Sequence, residues 1–456
     1  MADEAERAAS VDHRLESVSF FDAKLKNVRQ QVFFQWGRTV FILCIYTLAV
    51  LSFFWGSQFH TEANQAALTV WVVDFDGRTE PSYTSNPLLG PIVVDVVNRI
   101  SQNPTGHCGY TVKSPADFEY NPVAVRQAIY DEHAYAAVTV HPNGTRRLHD
   151  AVSGINPTYD SKGAIEIVTI SARDQSIYST KIQPQLRRLQ VAIMSEFGPR
   201  WTQELASQQL ANSRDLIQAQ VPPQAVNPGI GFTTIDLRPF RPAAAMPSVT
   251  VGLIYLIIIA YFNFPFLLPV HAQFNRSSHD QPTLKISHWI IWRITSAIAA
   301  YLFLSLFYSF ISLMFHIPFT NPPAPETQPS DNPNGYGNAS FIIFWMLNWV
   351  GMAALGLPCE VMAMALGFPW SGLFLVFWVM SNVTTGFYSL NLAPGFFAWG
   401  CVWPLHRIIE ALHTILFNTS SHIGRDFAVL STWVAVSLIL YPVAALIMWR
   451  RMKRGS

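Results

Sequence analysis

The feature that most constrains the fold is a series of apolar segments, each long enough to cross a lipid bilayer. A helix needs roughly 20 residues to span a hydrocarbon core about 30 Å thick. Positions 361–405 contain no Asp, Glu, Lys or Arg, which is too long for one crossing, so a tight turn is expected at 367–369. The predicted spans are then 39–58, 248–270, 294–315, 341–366, 370–390 and 427–449. The sequence therefore predicts a polytopic α-helical membrane protein with six transmembrane helices, arranged as one plus five.

The composition agrees with a membrane location. Hydrophobic residues make up 50% and charged residues only 13% of the 456 positions, which is too apolar for an ordinary soluble domain. The 30 Lys and Arg residues nearly balance the 29 Asp and Glu residues, and a net charge of +1 does not indicate a nucleic-acid partner. The four cysteines lack the spacing of a zinc site or a disulfide scaffold. No metal or other cofactor is predicted, although Cys108 and Cys401 could be bridged if the fold brought them together.

The distribution of basic residues sets the expected orientation. Four Lys and Arg residues lie between positions 24 and 38, before the first span, and the run RRMKRGS follows the last span. Because cytosolic flanks of membrane helices are enriched in Lys and Arg, both termini are expected in the cytosol. The predicted domains are a cytosolic amino-terminal segment (1–38), a first transmembrane helix (39–58), an extracytoplasmic domain (59–247), a five-helix membrane domain (248–449) and a basic cytosolic tail (450–456).

The polar stretch between the first two spans has the pattern of an α/β domain. Three segments rich in β-branched residues, ALTVWVVDFDG, HAYAAVTVHPNGT and AIEIVTIS, are predicted strands. A long amphipathic helix is predicted over 180–218, with a break near Gly198 and Pro199. The acids and histidines in this stretch match no metal-ligand spacing, and we interpret them as structural: Asp74, Asp76, His107 and His133. We expect two or three strands packed against helices.

N-glycosylation sequons offer a partial check on this topology. Three of them fall in segments predicted to lie outside the cytosol, and their asparagines are candidate glycosylation sites: Asn143, Asn338 and Asn418. Two further sequons, at Asn275 and Asn382, fall in a cytosolic loop and in a span and are expected to stay unmodified. The sequons were not used to assign the spans, so their positions support the assignment independently.

An unusual segment at 391–417 places charge in an apolar environment. After a Pro-Gly break, an amphipathic helix is predicted that lies in the outer interface or dips into the membrane as a re-entrant element, with an apolar stripe on one side and titratable residues on the other. Arg407 and Glu410 are i, i+3 neighbours that could pair. One interpretation is an anchoring helix in the membrane interface whose charges face water. The other is an outer gate, which makes these four residues candidates for a transport path: His406, Arg407, Glu410 and His413.

Glu360 is a second candidate for a transport path. It lies inside the predicted fourth span, behind Pro358, where a charge near the bilayer centre costs about 3 kcal/mol. Such residues usually face the interior of a helix bundle. If the span ended at Leu357, Glu360 would instead be a loop acid. Arg293 could be its partner, or could be a basic anchor at the cytosolic end of the third span.

Several stretches resemble a known family. LSFFWGSQF, LTVWVVDFDG and LNLAPGFFAWGCVWPLHRIIEALHTILFNTSSHIGRDFAVLSTWV are similar to the fungal nitrosoguanidine-resistance membrane proteins, a DUF3533-type family, and the resemblance covers nearly the whole chain. The order of segments is more distantly similar to type-2 ABC exporter membrane domains and to phage-infection-protein relatives. The resemblance implies a plasma-membrane or endomembrane protein linked to multidrug resistance, by efflux or by altered lipid distribution. It offers no catalytic residues.

Two classes of function remain open. The first is an exporter component that moves small hydrophobic compounds or membrane lipids. The second is a non-transporting membrane scaffold or sensor whose outside domain binds a partner. An enzyme is not expected, because no nucleophile and base pair or metal cluster is evident. No GxxxxGK[ST] phosphate loop occurs, so ATP-driven export would need a separate ATPase subunit. The analogy to exporters also suggests a homodimer.

Overall fold

The computed structural model describes residues 19–78, 87–103, 105–211, 221–275, 284–319 and 336–455. Residues 1–18 of the predicted amino-terminal segment, part of the loop after the second predicted span and most of the loop before the fourth lie outside the described residues. The helices are α1 (Lys26–Ser57), α2 (Leu89–Ser101), α3 (Pro122–Tyr130), α4 (Gly144–Val152), α5 (Gln183–Ala211), α6 (Val251–Ala272), α7 (Ile286–Met314), α8 (Ser340–Leu366), α9 (Trp370–Gly386), α10 (Pro404–Phe417) and α11 (Ile423–Gly455). Short helical turns connect several of them, and one stretch, Gly395–Val402, is a 3-10 helix.

A five-stranded sheet lies between α1 and α6 in the sequence. Its strands are β1 (Thr69–Asp74), β2 (Gly109–Lys113), β3 (Ala136–Val140), β4 (Ile165–Thr169) and β5 (Phe232–Asp236). They are ordered β2-β1-β3-β4-β5 across the sheet. All neighbouring pairs are parallel except β3 and β4. We call this sheet and its helices the α/β unit.

Both faces of the sheet are covered, because adjacent strand residues point to opposite sides. Val72 and Val138 pack in one apolar cluster with residues of α2, α4 and α5. Val73 and Ala137 pack in a second cluster, with residues of α3. Three of the strands match those predicted from the sequence. The other two, β2 and β5, are edge strands with partly exposed side chains, so their sequences carry no long apolar run.

The predicted break in the long helix is absent, and α5 continues through Pro199. A proline inside a helix removes one backbone hydrogen bond and usually bends or ends the helix. Here Phe197 and Trp201, on either side, are both only 1% exposed. The indole N–H of Trp201 also donates to the carbonyl of Ala225 at 2.9 Å. Packing of these two aromatic side chains therefore outweighs the local preference of proline.

Substituting Gly109 by Ala should destabilise the α/β unit. A Cβ at Gly109 would lie 2.0 Å from the carbonyl oxygen of Ala66, a backbone atom that cannot turn away. We expect the free energy of unfolding to fall by ~1–3 kcal/mol, as for other overpacked positions. Thermal unfolding of the purified protein measures this. Gly163→Ala is the control, because a Cβ there meets nothing within 4 Å; equal effects of the two substitutions would contradict the prediction.

Five helical stretches within the described residues are long and apolar enough to cross a membrane. They are Ala23–Ser57, Ala243–Ala272, Ile286–Met314, Gly337–Leu366 and Ile423–Arg451. They correspond to five of the predicted spans. The remaining predicted span corresponds to α9, which has 17 residues and is therefore about 25 Å long.

Side-chain contacts identify the two ends of the helix bundle. Near one end, the hydroxyl oxygens of Ser248 and Ser312 lie 3.2 Å apart, so the start of α6 meets the end of α7. At the other end, Arg451 of α11 donates to the carbonyl of Ala365 of α8 at 2.7 Å. Helix α9 begins four residues after α8 ends, and its last residue, Gly386, lies beneath the α/β unit. Helix α9 therefore runs from the far end of the bundle to the α/β unit.

Candidate functional site

The carboxyl group of Glu360 is buried inside the helix bundle. Glu360 is within α8, which continues past it to Leu366, so it is a helical residue and not a loop acid. Its side chain is 1% exposed, and that of Arg293 on α7 is 2% exposed. Glu360 Oε2 lies 3.4 Å from Arg293 Nη2. The two charges are buried and compensate each other.

Three neutral side chains complete the environment of the carboxylate. Tyr301 Oη donates to Glu360 Oε1 at 2.8 Å, and Asn263 Nδ2 donates to the same oxygen at 3.3 Å. Tyr441 Oη donates to Glu360 Oε2 at 3.0 Å. With Arg293, these residues come from α6, α7 and α11, so three helices converge on one side chain of α8. Burial of a charge is tolerated when it is paired and fully hydrogen-bonded, as here.

Arg293 has a second set of partners. Its Nε donates to Tyr441 Oη at 3.3 Å. Its guanidinium carbon lies 4.9 Å from the ring centre of Phe264 and 5.7 Å from that of Trp289. Aromatic faces attract cations, more strongly where water is excluded. Nη1 of Arg293 has no hydrogen-bond partner among the described residues.

Helix α10 is inserted among other helices and does not lie on their surface. Its apolar stripe, including Leu405, Ile408 and Leu412, is fully buried. The backbone N–H of Leu405 donates to Asn382 Oδ1 of α9 at 3.1 Å. A Cβ on Gly351 of α8 would lie 2.7 Å from Ile408 Cδ1, so glycine allows close packing there. An amphipathic stripe has this same pattern whether it meets lipid or protein, which is why an interfacial anchor was one of the two interpretations of the sequence.

Arg407 of α10 is a buried cation that pairs with an acid of α11. It is 5% exposed, and its Nη1 lies 3.2 Å from Asp426 Oδ1 of α11. Its Nε donates to the carbonyl of Cys401 at 2.5 Å. The predicted neighbour Glu410 is not its partner and instead lines a cavity. Arg407 is therefore separated from the other three candidates on α10.

A polar cavity of about 650 Å³ lies between the α/β unit and the helix bundle. It brings together His406, Glu410 and His413 of α10 with residues that the sequence analysis did not single out. The titratable or charged residues that line it are Asp131, Glu132, Arg173, Asp174, His406, Glu410, His413, His422 and Arg425. With the histidines uncharged, its four carboxylates and two guanidinium groups leave a formal charge of −2.

Burial changes the acid–base properties of this cavity. It raises the pKa of Asp174 to about 6, and a hydrogen bond from the backbone N–H of Ile177 only partly opposes this. It also raises the pKa of Glu132, although Arg173 lies 3.5 Å away. Burial lowers the pKa values of His406 and His413. Both histidines therefore stay neutral near pH 7 and acquire charge only in more acidic solution.

A second, larger recess of about 1110 Å³ adjoins the cavity, and we call it the groove. One part of its wall is apolar and comes from membrane helices: Phe54, Val251, Ile254 and Val383. The other part is polar and comes from the connection after α1 and from the α/β unit: Gln58, His60, Thr61, Glu62, Thr105, Thr180 and Lys181. Four residues line both the groove and the cavity: Ser176, Thr250, Phe387 and Tyr388. Groove and cavity therefore share a boundary.

Hydrogen bonds beside the cavity join the α/β unit to the helix bundle. Asn418 ends α10, and its carbonyl accepts hydrogen bonds from Arg238 Nε at 2.9 Å and from Tyr130 Oη at 3.2 Å. Asn391 Nδ2 donates to Tyr135 Oη at 2.6 Å. These contacts join the sheet side of the cavity to its helical side.

The remaining predicted positions are distributed over the structure. Asn338 is exposed and Asn143 is half-buried, whereas Asn418 is only 2% exposed, so a glycan on its side chain does not fit the folded structure. Cys108 is a buried thiol in the α/β unit, and Cys401 is an exposed thiol beside the cavity. Both are free, so the bridge considered between them is not formed.

The groove and much of the cavity were not predicted from the sequence. Glu132 and Asp174 precede Glu410 by more than 200 positions, and nothing in their local sequence indicates that the fold brings them together. Ordinary surface residues such as Thr61 and Lys181 carry no motif. A lone turn acid after a helix gives no functional signal, and only tertiary structure could reveal these neighbours.

The protein has several apolar helices of membrane-spanning length, an ion pair buried between two of them and an α/β unit at one end of the bundle. These features define a polytopic integral membrane protein. A family model described as a protein of unknown function (DUF3533) matches residues 39–439. The chain belongs to this family, and the family resemblance drawn from the sequence is confirmed. The chain is also similar to an uncharacterized endoplasmic reticulum membrane protein of Saccharomyces cerevisiae, with 22% identity over 455 residues that cover 96% of this chain and 85% of the yeast protein.

Proposed function

We propose that this protein binds lipids or other hydrophobic amphiphiles in the groove and moves them between the membrane and its extracytoplasmic side. The observation that carries this proposal is the two-sided wall of the groove. Its apolar part is made by membrane helices, and its polar part leads into the charged cavity. Ligand sites typically combine apolar walls with a few convergent polar groups.

The division of the wall matches the two parts of an amphiphile. A hydrocarbon tail beside Phe54, Val251 and Ile254 would gain about 0.8 kcal/mol for each CH₂ removed from water. A polar head group would reach the cavity past Ser176 and Thr250, which line both spaces. A compound that carries both parts fits this site better than a purely polar or purely apolar one.

The proposal includes a topology of six spans with both termini in the cytosol. Helix α9 supports the sixth span, because it runs from the far end of the bundle to the α/β unit. Arg450 and Arg451 at the end of α11 lie at the far end, as expected for a cytosolic flank. The α/β unit then lies outside the cytosol. The similarity to a yeast endoplasmic reticulum membrane protein supports a location in an endomembrane, and the proposed topology then has the α/β unit in the lumen.

Closing the boundary between groove and cavity tests this function. Ser176 is exposed and lines both spaces, so Ser176→Trp should obstruct the head group while leaving the core intact. We expect binding of a fluorescent phospholipid to the purified full-length protein in nanodiscs to weaken roughly tenfold, equivalent to ~1.4 kcal/mol. Transfer of the same lipid between leaflets of proteoliposomes should slow in parallel.

Ser195→Trp is the matched control, since Ser195 is an exposed residue of α5 that lines neither space. It should bind and transfer the lipid like the unmodified protein. Unchanged binding by Ser176→Trp would contradict the proposed site. Binding without transfer would contradict transport and would favour the sensor or scaffold function considered from the sequence.

A further inference from the structure

A line of buried polar side chains follows one face of α7 through the helix bundle. The buried face of this helix carries Arg293, Tyr301, Ser305, Ser309 and Ser312. From Arg293 to Ser309 they recur at multiples of four positions, which gives a buried row that winds slowly around the helix. Arg293 and Ser312 are 19 positions apart, which is about 28 Å along a helix. This length is close to the ~30 Å thickness of a hydrocarbon core.

The line continues onto neighbouring helices, and we call the whole set the polar seam. At one end Glu360 accepts from Tyr301 at 2.8 Å. In the middle, Asn348 Nδ2 of α8 donates to Ser309 Oγ at 2.9 Å. At the other end Ser312 meets Ser248 at 3.2 Å. The opposite face of α7 is exposed and apolar, with residues such as Phe303, Phe307 and Ile311. Polar side chains are thus kept inside the protein.

Two polar atoms along the seam lack a hydrogen-bond partner among the described residues. They are Asn348 Oδ1 and Arg293 Nη1. Their residues are 0% and 2% exposed. Buried polar atoms are nearly always bonded to protein or to water, because leaving one unbonded is costly. Since these two atoms lie at different depths of the bundle, they indicate water at more than one point along the seam.

We propose that the polar seam conducts protons through the membrane domain, with Glu360 as the group that binds and releases them. A hydronium ion on one side gives a proton to the carboxylate of Glu360 and leaves as water. The carboxyl group then returns its proton to a water on the other side. One proton moves, no other covalent bond changes and no electron is transferred. Intramembrane carboxyl groups commonly serve in such relays.

Arg293 has partners besides the carboxylate of Glu360. The side chains that face the carboxylate of Glu360 are those of Asn263, Arg293, Tyr301 and Tyr441. Among the described residues of the seam, Glu360 is the one that carries a carboxyl group. When Glu360 is neutral, Arg293 keeps the Tyr441 hydroxyl and the rings of Phe264 and Trp289 as partners. The arginine can therefore remain charged while the carboxyl group changes state. His271, another buried titratable residue, adjoins Arg293 at the far end of α6.

Proton flux into sealed proteoliposomes tests the proposal. The full-length protein is reconstituted with a pH-sensitive dye inside, and a potassium gradient with valinomycin supplies the driving voltage. The internal pH of liposomes that contain the unmodified protein should change several times faster than that of protein-free liposomes. Glu360→Gln should reduce the flux to that background, and Glu360→Asp should retain part of it. No amphiphile is present, so the result does not depend on the groove.

Two further variants keep the test decisive if Glu360→Gln folds poorly. The double variant Arg293→Met with Glu360→Met removes both charges and is expected to fold, because a buried pair can be replaced by apolar residues. It should conduct no faster than the background. Asn348→Leu should block the middle of the seam, whereas Thr295→Val, an exposed position on α7, should not change the flux. A double variant that conducts like the unmodified protein, or an unmodified protein no faster than background, would overturn the proposal.

Discussion

Replacing Arg293 by Met is expected to lower the free energy of unfolding by ~3–5 kcal/mol. The substitution leaves the carboxylate of Glu360 in the bundle without its cation, and a buried charge that has lost its partner is strongly destabilising. Tyr301, Asn263 and Tyr441 still donate to it, but neutral donors do not replace a full positive charge. Unfolding of the detergent-solubilised protein by heat or denaturant measures the loss.

The double variant Arg293→Met with Glu360→Met should recover most of this stability. With both charges removed, no uncompensated ion remains, and Met can fill the space flexibly. Arg425→Met is a matched control: Arg425 is 56% exposed and lies 4.0 Å from Asp426, so its loss should cost less than about 1 kcal/mol. If the double variant were as unstable as Arg293→Met, lost packing and not charge would explain the effect.

Acidification should weaken the binding of a cationic amphiphile to the groove and cavity by roughly tenfold between pH 7.5 and 5. Burial raises the pKa of Asp174 from the usual 3.8 to about 6, so this carboxylate loses its charge as the pH falls through about 6. His406 and His413, with lowered pKa values, begin to gain positive charge only at acidic pH. Both changes make the cavity less negative. One unit charge within ~8 Å is worth about 2 kcal/mol at an effective dielectric constant of 20, and salt reduces this.

The charged and titratable residues that line the cavity determine whether acidification weakens or strengthens binding of the cationic amphiphile. They are Asp131, Glu132, Arg173, Asp174, His406, Glu410, His413, His422 and Arg425. Titration calorimetry or fluorescence anisotropy with the full-length protein gives the affinity at each pH. An uncharged amphiphile with the same tail should show little change, and Glu410→Gln should weaken binding of the cationic compound already at pH 7.5. Tighter binding of the cation at pH 5 would refute the electrostatic explanation.

The sequence predicted the parts of the fold that depend on local pattern. Long uncharged apolar runs give membrane helices, and β-branched runs give the buried strands β1, β3 and β4. The edge strands β2 and β5 lack such runs because one side is half-exposed. The break expected at Pro199 does not occur, because burial of Phe197 and Trp201 holds the helix together.

The buried ion-pair site was predictable only where a single residue was unusual for its surroundings in the sequence. Glu360 stands out as an acid in an apolar span, and Arg293 was considered as its partner because it ends the preceding charged loop. Tyr301, Tyr441 and Asn263 are uncharged, and nothing in their local sequence indicates which partner they contact. His406, Glu410 and His413 of the cavity wall were candidates from the sequence, but the rest of the cavity could not be predicted, because its walls are assembled from segments that are distant in the chain.

The carbonyl of Asn418 has a mechanical consequence. This carbonyl joins the end of α10 to Arg238 and Tyr130 of the α/β unit. Helix α10 itself carries His406, Glu410 and His413, which line the cavity. A tilt of the sheet relative to the bundle must therefore either drag α10 along or break these hydrogen bonds. In a tilt that drags α10 along, Glu410 would move relative to Asp131, Glu132 and Asp174, so the spacing of the carboxylates in the cavity would change with the position of the α/β unit.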